Sequence, residues 1–200
     1  MSQQLLWAFV VFTLVMSFTP GPNNIMLLSS GVSFGFRRTV PHMLGVSFGF
    51  AFMLAAIGFG LGAIFIAYPM LQTALKYLGA AYLIYLAVVI AMSGSTRLEE
   101  GGGRRPMTFW GAVIFQWVNA KGWVMAIGTI TAYAAIARFP ANILLQSAII
   151  LAVTLGSTAI WTLCGTALRP LLSSPRLVRG FNLVMATLLI ASLYPVFAGA

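Results

Sequence analysis

The residues of this chain best suited to chemistry form two groups, each set inside an apolar run. The first is Thr19-Pro20-Gly21-Pro22-Asn23-Asn24 and the second is Asn119-Ala120-Lys121-Gly122. Pro20 and Pro22 lack the amide hydrogen and clash with preceding carbonyls, while Gly21 between them adds no Cβ restraint, so a helix through this stretch kinks or unwinds. Carbonyls near positions 16 to 18 then lose their partners. In hydrocarbon each such carbonyl is costly, so the break must face protein, water or a polar ligand. Asn23 and Asn24 follow at once, two amides that donate and accept beside the freed backbone and the positive end of the resumed helix. A lone proline here would read as a structural kink with asparagines satisfying it internally. Pro-Gly-Pro-Asn-Asn paired with a lysine in a second apolar run reads as a site.

Lys121 is the harder residue to place. An ammonium near the middle of a bilayer costs at least ~2.5–3.5 kcal/mol, so it persists only where something polar meets it. Two functional roles are open: a fixed cation that receives a substrate carboxylate, or a desolvated amine that exchanges protons. The structural alternative is a side chain that snorkels to an interface or donates to orphan carbonyls. The only carboxylates, Glu99 and Glu100, stand in a hydrophilic linker, so no buried salt-bridge partner is available within the chain. His42, just after Pro41, reads as the interfacial start of a helix and as a second candidate for proton handling.

The surroundings of these groups set the protein class. Of 200 residues, 60% are hydrophobic and 6% charged, and the mean hydropathy is +0.99. A soluble core with a wetted surface cannot reach these values, so the composition predicts an all-α integral membrane protein. The net charge of +9 sits in short loops between apolar spans, a pattern of membrane topology and not of nucleic-acid binding. One Cys, one His and two linker Glu weigh against a thiol relay or a clustered metal site. There is no phosphate-binding glycine motif, and no cofactor or metal is expected. The N-terminal apolar stretch has no basic flank and runs into Pro and Asn, so it reads as a retained first span.

A bilayer core of ~30 Å takes about 20 apolar residues, and six segments approach or exceed that, at roughly 5–33, 41–66, 70–93, 107–134, 143–168 and 178–198. Arg37, Arg38, Arg97, Arg104, Arg105, Arg169, Arg176 and Arg179 fall on one side; Lys76 and Arg138 fall on the other. That bias places both termini outside. The linker 97–105 divides one transmembrane domain, residues 1–200, into pseudo-repeats of about 1–96 and 104–200. Three spans per half is an odd count, so two halves of one fold must be inverted, as in many secondary transporters. Helices 1 and 4 carry matching interruptions at comparable depth, which points to a midplane substrate site. Gly-Val-Ser-Phe-Gly-Phe occurs at 31–36 and again at 45–50, and small residues at this spacing predict close helix packing. Tyr82, Tyr85 and Trp117 fit either a cavity wall or stacking within the bundle; Trp7, Trp110 and Tyr194 fit interface belts.

Met16-Ser17-Phe18-Thr19-Pro20-Gly21-Pro22-Asn23-Asn24, Gly35-Phe36-Arg37-Arg38, Gly79-Ala80-Ala81-Tyr82-Leu83-Ile84-Tyr85-Leu86-Ala87 and Phe115-Gln116-Trp117-Val118-Asn119-Ala120-Lys121 occur in the order and spacing of the LysE/RhtB amino-acid exporters. The resemblance covers essentially the whole chain, and its Pro-Gly-Pro-Asn stretch is the most specific part. It implies a six-span carrier of the bacterial inner membrane that expels amino acids or close derivatives, works as a homodimer and is driven by the proton gradient. Many members have proline where this chain has Ala120, which removes the proline-based cause for a second break. That variant looks most like the cysteine and O-acetylserine exporter branch; a homoserine- or threonine-like substrate is the alternative. On this reading Lys121 meets the α-carboxylate, Asn23, Asn24 and Asn119 hold polar groups, carbonyls freed by Pro20 and Pro22 accept from the substrate ammonium, and Pro20, Gly21 and Pro22 form the break used in gating. Competing readings are a non-transporting assembly subunit and, less in keeping with the composition, a metal or redox carrier.

The charge bias carries a direct expectation. Reporters fused near Gly102 should be cytoplasmic and those at the C-terminus extracytoplasmic; the reverse pattern would remove the six-span topology.

Overall fold

The structure is a computed structural model and describes residues 3–92, 105–172 and 174–194. Linker positions 97–104, with Arg97, Arg104 and both glutamates, lie outside the described residues, as do positions 1–2 and 195–200. Every regular element among the described residues is helical.

The first apolar segment is two helices, α1 (Gln3–Phe18) and α2 (Pro22–Phe34), which meet at a bend of 53°. Gly35 alone separates α2 from α3 (Phe36–Ala56); its φ of 76° lies in the left-handed region that favours glycine. A π-helical turn, Ile57–Leu61, carries Gly60 at φ 121° and kinks the chain into a short α4 (Gly62–Ala67). α5 (Pro69–Ala91) follows. The second half comprises α6 (Phe109–Val118), α7 (Ala120–Ala132), α8 (Ala141–Leu168) and α9 (Pro175–Ala191). Local chemistry sets several starts. Thr108 Oγ1 accepts from Gly111 N at 3.1 Å ahead of α6, and Ser174 Oγ accepts from Leu177 N at 3.3 Å ahead of α9. Prolines open α2, α5 and α9, where a missing N–H costs nothing.

The stretches Phe36–Leu61, Thr73–Ala91 and Ala141–Leu171 are long and apolar enough to cross a membrane, and the bent pair α1 and α2 makes a fourth. At 10 and 17 residues, α6 and α9 are shorter than the ~20 that a straight crossing takes. The α3 start also departs from the sequence expectation. The helix begins at Phe36 and not near 41, because Arg37 and Arg38 extend it beyond the apolar run and Pro41 is tolerated inside it. His42 is thus in the second turn of α3, buried at 1% exposure and turned toward α2, with Nδ1 3.4 Å from Ser30 Oγ.

α3 and α8 lie against each other at the centre, where Ser47 Oγ and Thr158 Oγ1 are 3.3 Å apart. α2 packs on α8, α6 on α3, and α5 on α9. Two of these contacts are backbone to backbone. A Cβ on Gly31 would collide with the Thr162 carbonyl, and one on Gly165 with the Leu28 carbonyl; Gly45 sits in the same way against the Phe109 carbonyl and Ala112. Gly31 and Gly45 are the first glycines of the repeated hexapeptide, so its packing role is met twice, once per contact. Large apolar side chains such as Trp7, Phe52, Ile114 and Val124 point outward while Thr39, Ser47, Gln116, Gln146 and Thr162 are buried. That is the distribution expected where the solvent is lipid.

The glycine contacts generate a paired test. Gly165→Ala should destabilise the fold in detergent by about 1–3 kcal/mol, the usual cost of overpacking. Gly156→Ala, on the same helix with nothing within 4 Å, should leave the melting temperature where it is.

Candidate functional site

The first break starts from the absence of two amide hydrogens. Val15 O still accepts from Thr19 N at 2.9 Å and from Thr19 Oγ1 at 2.7 Å, so α1 closes normally up to that point. Gly21 is extended, at φ −166° and ψ 177°, and α2 resumes at Pro22. Between them the carbonyls are met by side chains. Ser17 O accepts from Asn24 Nδ2 at 2.9 Å and from Ser157 Oγ at 2.8 Å. Thr19 O accepts from the same Asn24 Nδ2 at 3.0 Å and from Lys121 Nζ at 2.7 Å. Both amide hydrogens of Asn24 are therefore committed to the break.

The second break has no proline. Asn119 adopts φ −85° and ψ 101°, ending α6 and starting α7 in one residue. The carbonyl that this exposes at Trp117 is taken by the indole Nε1 of Trp123 at 2.8 Å. The fourth segment is thus interrupted, as expected, without a proline, and an aromatic donor meets the carbonyl that the break frees.

The two breaks face one cavity of about 50 Å³, space for roughly three to five water molecules. Gly21, Pro22, Asn23, Asn24, Asn119 and Lys121 all line it. Pro20 flanks the break without lining the cavity, and His42 stands away from it with Nε2 unpartnered. Tyr82, Tyr85 and Trp117 do not line this cavity: Tyr82 packs on Phe115 at 5.6 Å and Trp117 on Trp123 at 6.0 Å within the bundle, while Tyr85 is exposed and touches Tyr82 at 6.1 Å. Gly21 is present for lack of space. A Cβ there would stand 2.8 Å from Lys121 Cδ and 3.1 Å from Nζ.

Several lining residues were missed by sequence reasoning. Gln116 is fully buried and exchanges hydrogen bonds with Asn23: Asn23 Nδ2 donates to Gln116 Oε1 at 2.8 Å, and Gln116 Nε2 donates back to Asn23 Oδ1 at 3.3 Å. An amide one turn before Asn119 was the available signal. Thr154, Ser157 and Thr158 on α8 also line the cavity. Their spacing of three and four residues puts them on one helical face, which a polar-periodicity reading could have found.

The resulting electrostatics are divided. Lys121 brings three N–H donors, of which one is spent on Thr19 O. Asn119 Oδ1 and Ser17 Oγ are buried at the same cavity with no partner. A positive group and idle oxygen acceptors within one small space suit a ligand carrying both a carboxylate and an ammonium.

The model of the LysE type translocator family matches residues 14–192. The "Cysteine/O-acetylserine efflux protein" of Escherichia coli strain K12 and that of Shigella sonnei strain Ss046 are each 40% identical over 124 residues, 60% of this chain and 61% of the relative. The chain thus spans less than two thirds of the curated relatives it matches. No solved structure matches it.

The seat of Lys121 can be tested without any transport assay. Gly21→Ala keeps an allowed backbone but should displace the lysine stem, raising labelling of Lys121 by a water-soluble amine reagent several-fold. Unaltered labelling would show that Gly21 does not hold the stem in place.

Proposed function

We propose that this chain, which belongs to the LysE type translocator family, exports a small zwitterionic amino acid or close derivative from the cytoplasm. Cysteine or O-acetylserine is the first choice of substrate class, and homoserine or threonine the second. The membrane is the bacterial inner membrane, both termini are outside, the working unit is a homodimer, and efflux is coupled to proton entry.

The observation that carries this reading is the meeting of Lys121 Nζ, which lines the cavity, with the Thr19 carbonyl at its edge, across 102 residues of sequence. With no carboxylate side chain among the described residues, the carbonyl holds the ammonium at rest. An arriving carboxylate takes the remaining N–H donors as a charge-assisted contact. The substrate ammonium goes to Asn119 Oδ1 and Ser17 Oγ, which otherwise remain buried and unpaired. Asn23 joins through its pair with Gln116, and Asn24 acts by keeping the Ser17 and Thr19 carbonyls in place. The size of the cavity and the presence of Met16, Phe50 and Met125 in its wall favour a short side chain. Pro20, Gly21 and Pro22 keep the first helix open, so the two halves, 1–96 and 104–200, can rock about it. Proton exchange falls to Lys121 or to His42.

Substitution at Lys121 separates these roles. Lys121→Arg should keep partial export, while Lys121→Met and Lys121→Gln should lose it, since one charge-assisted contact is worth roughly 1.5–3 kcal/mol, or about ten- to a hundred-fold in affinity. If Lys121→Met still exchanges labelled substrate normally in liposomes but cannot accumulate it against a gradient, the residue handles protons. Unchanged exchange and accumulation in a folded Met variant would remove Lys121 from the site.

A further inference from the structure

Beyond the cavity, toward the start of α1 and the end of α7, a few polar groups that the site does not use lie within the apolar cluster of Phe9, Met125, Ala126, Ile136 and Ile150. Thr13 on α1 and Thr129 on α7 are fully buried, and neither hydroxyl has a partner. Several helical hydroxyls in this fold, Thr39, Ser47, Thr154 and Thr162, donate to the carbonyl four residues back, at 2.7 to 3.0 Å, whereas Ser17 and Ser147 are buried and idle like the two threonines. The same remedy is open to Thr13 and Thr129 and is not taken. A buried hydroxyl left idle costs ~1–3 kcal/mol.

The two threonines share a level. Phe9 stacks on Tyr133 with ring centroids 5.1 Å apart, and Lys121 Nζ reaches Thr19 O at 2.7 Å. α1 and α7 therefore run antiparallel between these contacts, and Thr13, midway along its side, comes level with the turn from Met125 to Thr129. Thr13 is one turn from Ser17 and Thr129 one turn from Met125, both of which line the cavity. At the Tyr133 end α8 contributes Gln146, fully buried, whose Nε2 donates to Tyr133 O at 3.0 Å while Oε1 is unpartnered.

We propose that Thr13, Thr129 and Gln146 form a transit site for the ammonium end of the zwitterion on its way out of the cavity, closed in this structure by Phe9, Phe12 and Tyr133. The proposal rests on the export reading above for its ligand. Its chemistry is complementary: the idle hydroxyls of Thr13 and Thr129, and Gln146 Oε1 about one turn further out at Tyr133, are acceptors in succession for an ammonium that passes them. The closure is also of a kind that can open. Phe12 lies 5.7 Å from Tyr133 and Phe9 5.1 Å, so the cap is made of side chains. The contacts at Gly31, Gly45 and Gly165, by contrast, put helix against backbone with no side chain between. Gly128, on the α7 side, has nothing within 4 Å of its Cβ position.

Two measurements on the full chain in liposomes decide the matter. Thr13→Val combined with Thr129→Val removes both hydroxyls at nearly constant volume; export should fall about tenfold while amino-acid binding to the detergent-solubilised protein is unchanged. Retained export in that variant would overturn the transit site, because a structural pair tolerates or welcomes valine. For the route itself, Thr13→Cys and Thr129→Cys are made singly in a Cys164→Ser background, Cys164 being exposed. Their modification by a small hydrophilic thiosulfonate should be slow and should rise several-fold when Tyr133→Ala removes the cap. No rise would overturn the closure. If the wild-type protein moves no amino acid, the export reading fails, and thiol access still decides whether water reaches these threonines past Tyr133.

Discussion

A broken helix in hydrocarbon must have its carbonyls met, and the rest of this molecule is arranged around that demand. The Ser17 and Thr19 carbonyls each receive two side-chain donors, drawn from α2, α7 and α8. Each donor fixes the position of the helix that carries it. Ser157 holds α8 at the level of Ser17, Lys121 holds the start of α7 at the level of Thr19, and Asn24 ties the resumed helix back to the one it left. The break is thus the point at which four helices are registered against one another, and the cavity is the space left between them.

The Asn23–Gln116 pair extends this register to α6. Two amides that exchange donor and acceptor satisfy each other without a net charge, and Gln116 Nε2 has a further bond to Ala112 O at 2.8 Å that fixes its orientation. Net stabilisation from such bonds is modest, about 0.5–1.5 kcal/mol each. Their larger effect lies in the cost of leaving one partner alone, which makes any rearrangement of α2 against α6 proceed with both amides still paired or rehydrated. Lipid-facing apolar side chains add little to this choice, because tails solvate them equally in every arrangement.

Some of this was legible in the residues and some was not. Pro20 and Pro22 allow no continuous helix, so the first break and its need for donors could be read directly. Asn119 and Lys121 located the second break, yet its geometry depends on the Trp123 indole reaching Trp117 O, a contact that no spacing rule announces. Amides at 23 and 24 identified polar groups but not their aim: Asn24 turns to its own backbone and Asn23 to Gln116. Pro41 suggested a helix start because prolines favour first turns, but the preceding arginines extend α3 and bury His42 inside it. Hydroxyls at 154, 157 and 158 were invisible as site residues because most helical Ser and Thr simply bond their own backbone, as Thr154 also does.

The long sequence separation between Lys121 and its acceptor has a consequence for biosynthesis. Chains enter the membrane from the N-terminus, so when the segment bearing the lysine leaves the ribosome, Thr19 and its exposed carbonyl are already in the bilayer. The earlier half can act as a template that lowers the insertion barrier of the later one. A second half expressed by itself would have to push an ammonium into lipid with no acceptor waiting. Order of synthesis, and not only final geometry, is written into where the lysine and the proline pair stand along the chain.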